Sequence, residues 1–487
     1  MKSVPFKGRI LIFGSGSVAQ CLLPLIKKHI AMDFSKLTVM DPLYYESVGK
    51  RLKSMGANYI QKKVLKENYL DILKKQVGPG DIIIDLAVDI ETIDIIDWGQ
   101  KNNVRFINTS VEWWNPWEDD RIPRIIDRTL YVRHMALIKK AQESWKPDGP
   151  TAIVEHGANP GLVSHWTKQA LIEIAHQILN KKLADKKRTV LLHEALDSKN
   201  FPELAQHTGT KVIHISERDM QITNKPKLVD EFVNTWSIAG LYEEAMAPAE
   251  LGWGTHERTM PSNAEQHRWG PKNQICLAQP GMDTWMYSWI PSGQIIGMLI
   301  RHGEAFSISR YYTVLNKNKA VYRPTVHYVY LPTDCTVASL VEMKMHNYKL
   351  QPKLRILNDE IIDGIDELGV LLLGHDLNGW WTGSQLSIQE TRELIGSQQN
   401  ATTLQVASSV LAALIWSINN PNKGFRTPDD LPHDEILSIA RPYLGPCPSV
   451  QTDWTPFTYR TTPLGKKYAP KFSKNDVWQF KSFLVTP

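Results

Sequence analysis

Apolar and polar positions follow two different rhythms along this chain. Over residues 9–154, short apolar runs at 9–13, 36–40, 81–86, 104–108 and 151–154 alternate with helically spaced segments at 18–29, 90–102 and 130–144. Strands joined by crossovers long enough for a helix predict βαβ units around a parallel sheet. After Asn159-Pro160-Gly161 the rhythm changes. A helix is expected at 162–178 and a solvated lysine-rich loop at 181–188. Strands are expected at 211–216, 294–300, 304–314 and 326–331, where β-branched and aromatic residues concentrate, with Arg301-His302-Gly303 as a hairpin turn. Residues 402–418 have helical spacing and end at Asn419-Asn420-Pro421; the Pro-, Trp- and Tyr-rich remainder is expected to wrap an existing surface. The pattern predicts an α/β protein: a Rossmann-type doubly wound parallel sheet in 1–155 and a second α+β domain with a mixed sheet in 156–395. A C-terminal helix and wrapping segment follow in 396–487.

Composition narrows the function classes. With 487 residues and 42% hydrophobic content the chain can bury the cores of two or three domains. Lys and Arg total 56 against 51 Asp and Glu, with no long basic block and no aromatic interleaving, so no nucleic-acid partner is expected. No signal-like N-terminus and no apolar run of about 20 residues is apparent, which leads us to expect a cytoplasmic protein without a membrane partner. Cys21, Cys276, Cys335 and Cys447 are scattered without a CxxC, and there is no HExxH, so neither a disulfide framework nor a metal is expected.

The most specific local signal is Gly14-Ser15-Gly16-Ser17-Val18-Ala19, placed between a strand and a helix. Gly14 permits the tight turn, Gly16 removes the Cβ that would block a pyrophosphate, and Ala19 lets the helix pack close, with Ser17 and Val18 opening its first turn. Asp41 ends the second strand, where a carboxylate accepts ribose hydroxyls and repels a 2′-phosphate, so NAD is the expected cofactor. Asp89 and Thr109 follow later strand ends, where a doubly wound sheet binds ligands. Asp89 has two readings: it lines the nicotinamide end, or it caps the helix starting near Ile90.

Further along, carboxylates recur beside indoles: Glu112 before Trp113-Trp114, Glu217, Trp236, Glu243-Glu244, and Glu250 before Trp253. A cationic substrate suits such a mixture, because an ammonium gains from both an indole face and a carboxylate. The blocks Val111-Glu112-Trp113-Trp114, His156-Gly157-Ala158-Asn159-Pro160-Gly161, Ser216-Glu217-Arg218-Asp219, Val233-Asn234-Thr235-Trp236-Ser237 and Ala249-Glu250-Leu251-Gly252-Trp253-Gly254-Thr255-His256-Glu257 resemble bacterial homospermidine synthase. Asp363-Gly364-Ile365-Asp366-Glu367-Leu368-Gly369 and Thr452-Asp453-Trp454-Thr455-Pro456 carry the resemblance nearly end to end.

That resemblance implies a saccharopine-dehydrogenase-like fold and a homodimer, with helix 402–418 returning to the Rossmann domain. It implies a bound NAD that takes and returns a hydride while putrescine or spermidine, with putrescine, becomes homospermidine. It also implies substrate-site roles for Glu112, Asn159, Glu217, Trp236, Glu244 and His302, with Trp236 as cation–π partner and Asp89 near cofactor and substrate. The chain departs from the family pattern at Trp113, where the family has proline, and in the loop through Trp117. Because carboxylates favour the charged amine, Glu217 and Glu244 are assigned to anchoring, and removal of a proton from the diamine to His302 or a water it orders. Two other readings stand beside this one. A saccharopine- or carboxynorspermidine-type reductase would use Arg301 and Arg310 to clamp a carboxylate, and a catalytically inactive nucleotide-binding protein would keep only the cofactor site.

Overall fold

The computed structural model describes residues 3–114, 124–396, 398–460, 467 and 473–485. The N-terminal part runs β1 (Ile10–Phe13), α1 (Ser17–His29), β2 (Leu37–Asp41), β3 (Asn58–Gln61), β4 (Ile82–Asp85), α2 (Thr92–Asn102), β5 (Arg105–Asn108), α3 (Leu130–Ser144) and β6 (Ala152–Ile153). Its sheet has the order β3-β2-β1-β4-β5-β6, all parallel, and Phe425–Arg426 pairs with β6 at the far edge. Strands β1 and β4, reading ILIF and IIID, are buried throughout, because helices cover both faces of a parallel sheet. The chain direction across the sheet reverses between β1 and β4, opening a crevice at their carboxyl ends.

The second part contains α4 (Leu162–Asn180), β7 (Val212–Asp219), α5 (Ile238–Met246), β8 (Pro248–Gly252), β9 (Gly293–Ile300), α6 (Gly303–Tyr311), β10 (Thr325–Leu331), β11 (Ile365–His375) and β12 (Asn378–Ser387). Its sheet places β8, β10, β7, β11 and β12 side by side, with β9 also on β10. Only β10 and β7 are parallel among these neighbours, so the sheet is mixed. Ser449–Thr452 adds a further strand beside β12.

Two expectations fail here. Residues 304–314 are not a strand and 301–303 not a hairpin turn: His302 is the N-cap residue of helix α6. Gly303 through Ser309 are all buried, and a segment without an exposed face lacks the polar alternation that separates strand from helix. The lysine-rich loop also ends early, because Asp185 accepts the Arg188 backbone N–H and starts the helix Lys186–Asp197.

Helix α7 (Ala401–Asn419) is capped by Asn400 and packs on α1, on helix His433–Ala440 and on the mixed sheet, so it fastens both parts together. By length and composition it is apolar enough to cross a membrane, yet nearly all of it is buried in the fold, as befits a core helix. Among the described residues of the tail, Phe425–Arg426 extends the parallel sheet, Ser449–Thr452 the mixed one, and Phe480 and Phe483 enter the core beneath the latter.

Candidate active site

The glycine turn is built by steric demand. Gly14 leaves β1 at φ +87°, and a Cβ there would lie 2.8 Å from the Leu86 carbonyl oxygen. At Gly16, by contrast, a Cβ would meet nothing within 4 Å, so open space lies before the N-terminus of α1. That helix has no side-chain cap and no acid in its first turn, leaving its backbone N–H groups free for an anion. Asp41 accepts the Ser15 and Leu43 backbone N–H groups at 2.7 and 2.8 Å, and each oxygen keeps a lone pair for a ribose hydroxyl. An open glycine cradle, an uncapped helix end and this carboxylate together fit a dinucleotide.

Val18 and Thr109 connect this crevice to a cavity between the two parts of the chain, with about 1170 Å³ of empty space including its mouth. Glu112, Asn159, Glu217, Trp236, Glu244 and His302 all line it, although they are spread over 190 positions between 112 and 302. Gly14, Gly16, Ser17 and Asp41 sit outside it, at the crevice. Asp89 also lies outside, half-buried at φ +62° after β4; Glu91, not Asp89, occupies the N-cap of α2. Burial and the Glu243 charge raise the Asp89 carboxyl, against Lys63 and Arg133.

Five carboxylates line the cavity (Glu112, Glu155, Glu217, Glu243 and Glu244) against Arg133, Arg301 and His302. Glu217, on β7, accepts Tyr328 Oη–H at 2.5 Å and Asn159 Nδ2–H at 3.1 Å on the same Oε2. Burial pushes its carboxyl up to about 8, with the Tyr328 bond as the main opposing influence. Glu112 is pushed up to about 7 by burial and the Glu243 charge, partly countered by Arg133, and its Oε2 has no hydrogen-bond partner. Glu243 goes the other way: burial would raise it, but Arg301 and Arg133 both pair with it and hold it low.

His302 lies between two carboxylates, Nε2 3.1 Å from Glu244 and Nδ1 3.2 Å from Glu304. Burial opposes its charge, but Glu304 and Glu244 outweigh this and hold it well above the usual histidine range. In its protonated form the imidazole has no lone pair to accept a proton and can only donate one, which bears on the expectation that His302, or a water it orders, removes the proton.

Other expectations are redistributed. Glu250 takes no part in the cavity: it accepts the Leu130 N–H at the start of α3 and Gln274 Nε2–H, a buried structural cap. Arg301 is committed to Glu243 and Arg310 is exposed, so neither offers a free clamp for a substrate carboxylate. Arg133, Glu155 and Tyr328 line the cavity without any sequence signal that singles them out. Trp113 lies against the Arg133 guanidinium, 5.1 Å from ring centroid to Cζ, and Trp114 Nε1–H donates to Asp94. Trp117 is outside the described residues. Among the described residues Asp230, Glu342 and His346 also converge, away from the cavity, with Glu342 already paired to Lys227.

Comparison with known proteins agrees with this architecture. The family model described as the saccharopine dehydrogenase NADP binding domain matches residues 10–153, and that of the saccharopine dehydrogenase C-terminal domain matches 157–448. The chain is 40% identical over 484 residues to a homospermidine synthase of Mesorhizobium japonicum, covering 98% of this chain and 96% of that protein. It is 42% identical over 484 residues to one of Blastochloris viridis, covering 98% and 97%. A homospermidine synthase from Legionella pneumophila, solved in complex with NAD, superposes with a TM-score of 0.88 at 36% identity over 100% of this chain and 99% of that one. Saccharopine dehydrogenase from Saccharomyces cerevisiae shares the fold, with a TM-score of 0.50 at 12% identity over 91% and 100%.

Proposed function

The chain belongs to the homospermidine synthase family, and we propose that its cavity carries out the reaction implied by that name with the residues described above. The protein is an NAD-dependent aminobutyl transferase acting on small polyamines. Two putrescines give homospermidine and ammonia, or spermidine and putrescine give homospermidine and diaminopropane. NAD supplies a reversible hydride acceptor at the carbon bearing the reacting amine, which leaves no net redox change. Gly14, Gly16, Ser17, Val18 and Asp41 would hold it, with Thr109 and Asp89 toward its reactive end. The Asp41 carboxylate favours NAD over the phosphorylated cofactor named in the family model.

The substrate arrives doubly protonated, and its reacting nitrogen must lose a proton to free a lone pair. Glu217 is the base: desolvation makes its carboxylate basic enough to take that proton near pH 8 on Oε1, while Tyr328 and Asn159 hold Oε2 and orient it. Glu112 and Glu244 hold the distal ammonium groups, and Trp236 offers a π face to the cationic carbon–nitrogen centre. His302, kept protonated by Glu244 and Glu304, returns a proton to the departing amine. Leu86, Val111, Leu130 and Val406 exclude the water that would otherwise divert the intermediate to an aldehyde.

The observation that carries this reading is the buried Glu217 in a carboxylate-rich cavity next to the glycine crevice. A reductase acting on an amino acid would need a free cationic clamp, and Arg301 is already neutralised by Glu243. The same reading includes a division of the chain near 155/156 and 395/396, a cytoplasmic location and a homodimer, the last to be checked by light scattering. The decisive assay incubates purified protein with putrescine and substoichiometric NAD. Homospermidine and ammonia in equal amounts are expected; NADH accumulating without triamine would overturn the assignment.

A further inference from the structure

Strand β10 places Tyr328 and Tyr330 two residues apart on one face, and their rings stack at 5.4 Å between centroids with 19° between planes. Each phenol reaches a different member of the cavity. Tyr328 Oη–H donates to Glu217 Oε2 at 2.5 Å, and Tyr330 Oη accepts the Trp236 Nε1–H at 3.1 Å. The Tyr328 ring also packs on the His302 imidazole, 4.4 Å between centroids at 38°. Parallel pairing sets Tyr330 opposite Glu217 and Tyr328 opposite Ile215 on β7, so the register of two adjacent strands fixes the ladder relative to the carboxylate.

We propose that this tyrosine ladder is a positioning device for the transfer reaction: Tyr328 fixes the orientation and acidity of Glu217, and Tyr330 fixes the indole of Trp236. The proposal rests on the reading of the cavity as the diamine site. Two sites that must act on one substrate, a base and a cation-stabilising indole, are thereby tied to a single rigid strand rather than to separate loops. Both phenols are buried, and burial together with the Glu217 charge holds them well above the ordinary tyrosine range, so they stay neutral while the enzyme works, Tyr328 as donor to Glu217 and Tyr330 as acceptor from Trp236. The charged and titratable groups facing Glu217 are Asp219 on its own strand, Asp366 on β11, His302 before α6, and the two phenols. Of these, Tyr328 donates a direct bond to the carboxylate.

The test is the pH dependence of kcat/KM for putrescine. Tyr328→Phe keeps the ring on His302 and deletes only the donor; with its carboxylate less stabilised, Glu217 should ionise later, moving the acid limb up by about one pH unit. Tyr330→Phe should leave that limb in place and lower kcat/KM by about 3- to 10-fold, an effect that disappears in a Trp236→Phe background. In a Glu217→Gln background Tyr328→Phe should cost nothing further, and unchanged NAD affinity by equilibrium dialysis shows that each variant is folded. An unmoved acid limb in Tyr328→Phe, or an undiminished Tyr330→Phe effect without the Trp236 indole, overturns the ladder alone. A wild-type protein that makes no homospermidine overturns the diamine site and the ladder with it.

Discussion

Trp236 lines the cavity with its only polar atom already tied to Tyr330, so what remains for a substrate is the indole π surface. A desolvated cation–π contact is worth about 2 kcal/mol, equivalent to roughly 30-fold in rate. Trp236→Ala should therefore lose about 30-fold or more in kcat/KM, while Trp236→Phe, which keeps a smaller aromatic face, should retain part of it. Equal activity in both variants and the wild type would remove Trp236 from the reaction. Asp41 has a double task, since the carboxylate that would meet the ribose also anchors the glycine turn through Ser15 N–H. Asp41→Asn loses the charge and half of the acceptor capacity, so NAD affinity should fall about 10-fold or more and the preference over NADP should narrow. Titration of both cofactors against the variant measures both effects.

Helix α6 shows how an element can carry function by where it starts. Gly303 opens it beside Glu155, and a Cβ at that position would fall 2.1 Å from both Glu155 carboxylate oxygens. Gly303→Ala must therefore displace a buried carboxylate that lines the cavity next to His302. Because a displacement of about 1 Å costs up to 100-fold in an oriented reaction, kcat should fall about 10- to 100-fold with little change in far-UV circular dichroism. Wild-type kcat in this variant would show that the helix start does not set the site. The apolar run that suggests a strand here is indeed buried. Its period is unreadable because every residue from Gly303 to Ser309 faces protein.

The molecule closes its cavity between a parallel and a mixed sheet that α7 binds to one another, and it buries several acids, in the cavity and elsewhere in the fold. Glu217 and Glu112 are raised to about 8 and about 7, and Asp85 and Glu250 to about 8 and about 7, all above unfolded values near 4. The folded state thus prefers their protonated forms; this contribution is complete below about pH 4 and is lost as pH rises through 7 to 8. The melting temperature of the ligand-free protein should fall between about pH 6 and pH 8.5. A diamine that binds the ionised cavity should raise it more at the higher pH. Thermal shifts with and without putrescine at the two pH values check this, and an equal or reversed ligand effect would contradict it.

Features whose causes lie close together in the chain are legible in the amino-acid sequence alone. The turn at Gly14 to Ala19 needs only a strand before it and a helix after it, and Asp41 follows one crossover later. The helix at 130–144 is readable because its one buried face repeats within a few residues. The six cavity residues are nameable only through sequence blocks, without any account of what each does. Their roles depend on groups far away in sequence: Arg301 pairs with Glu243 and is lost as a clamp, Glu250 caps α3 from 120 residues away, and Tyr328 reaches Glu217 across 111. Charge state is decided in the same way, since desolvation and partner charges exist only once the chain has folded. That is why His302 lies between two carboxylates that favour its protonated form, and why burial raises the Glu217 carboxyl, the two surroundings on which the proposed exchange of their roles rests.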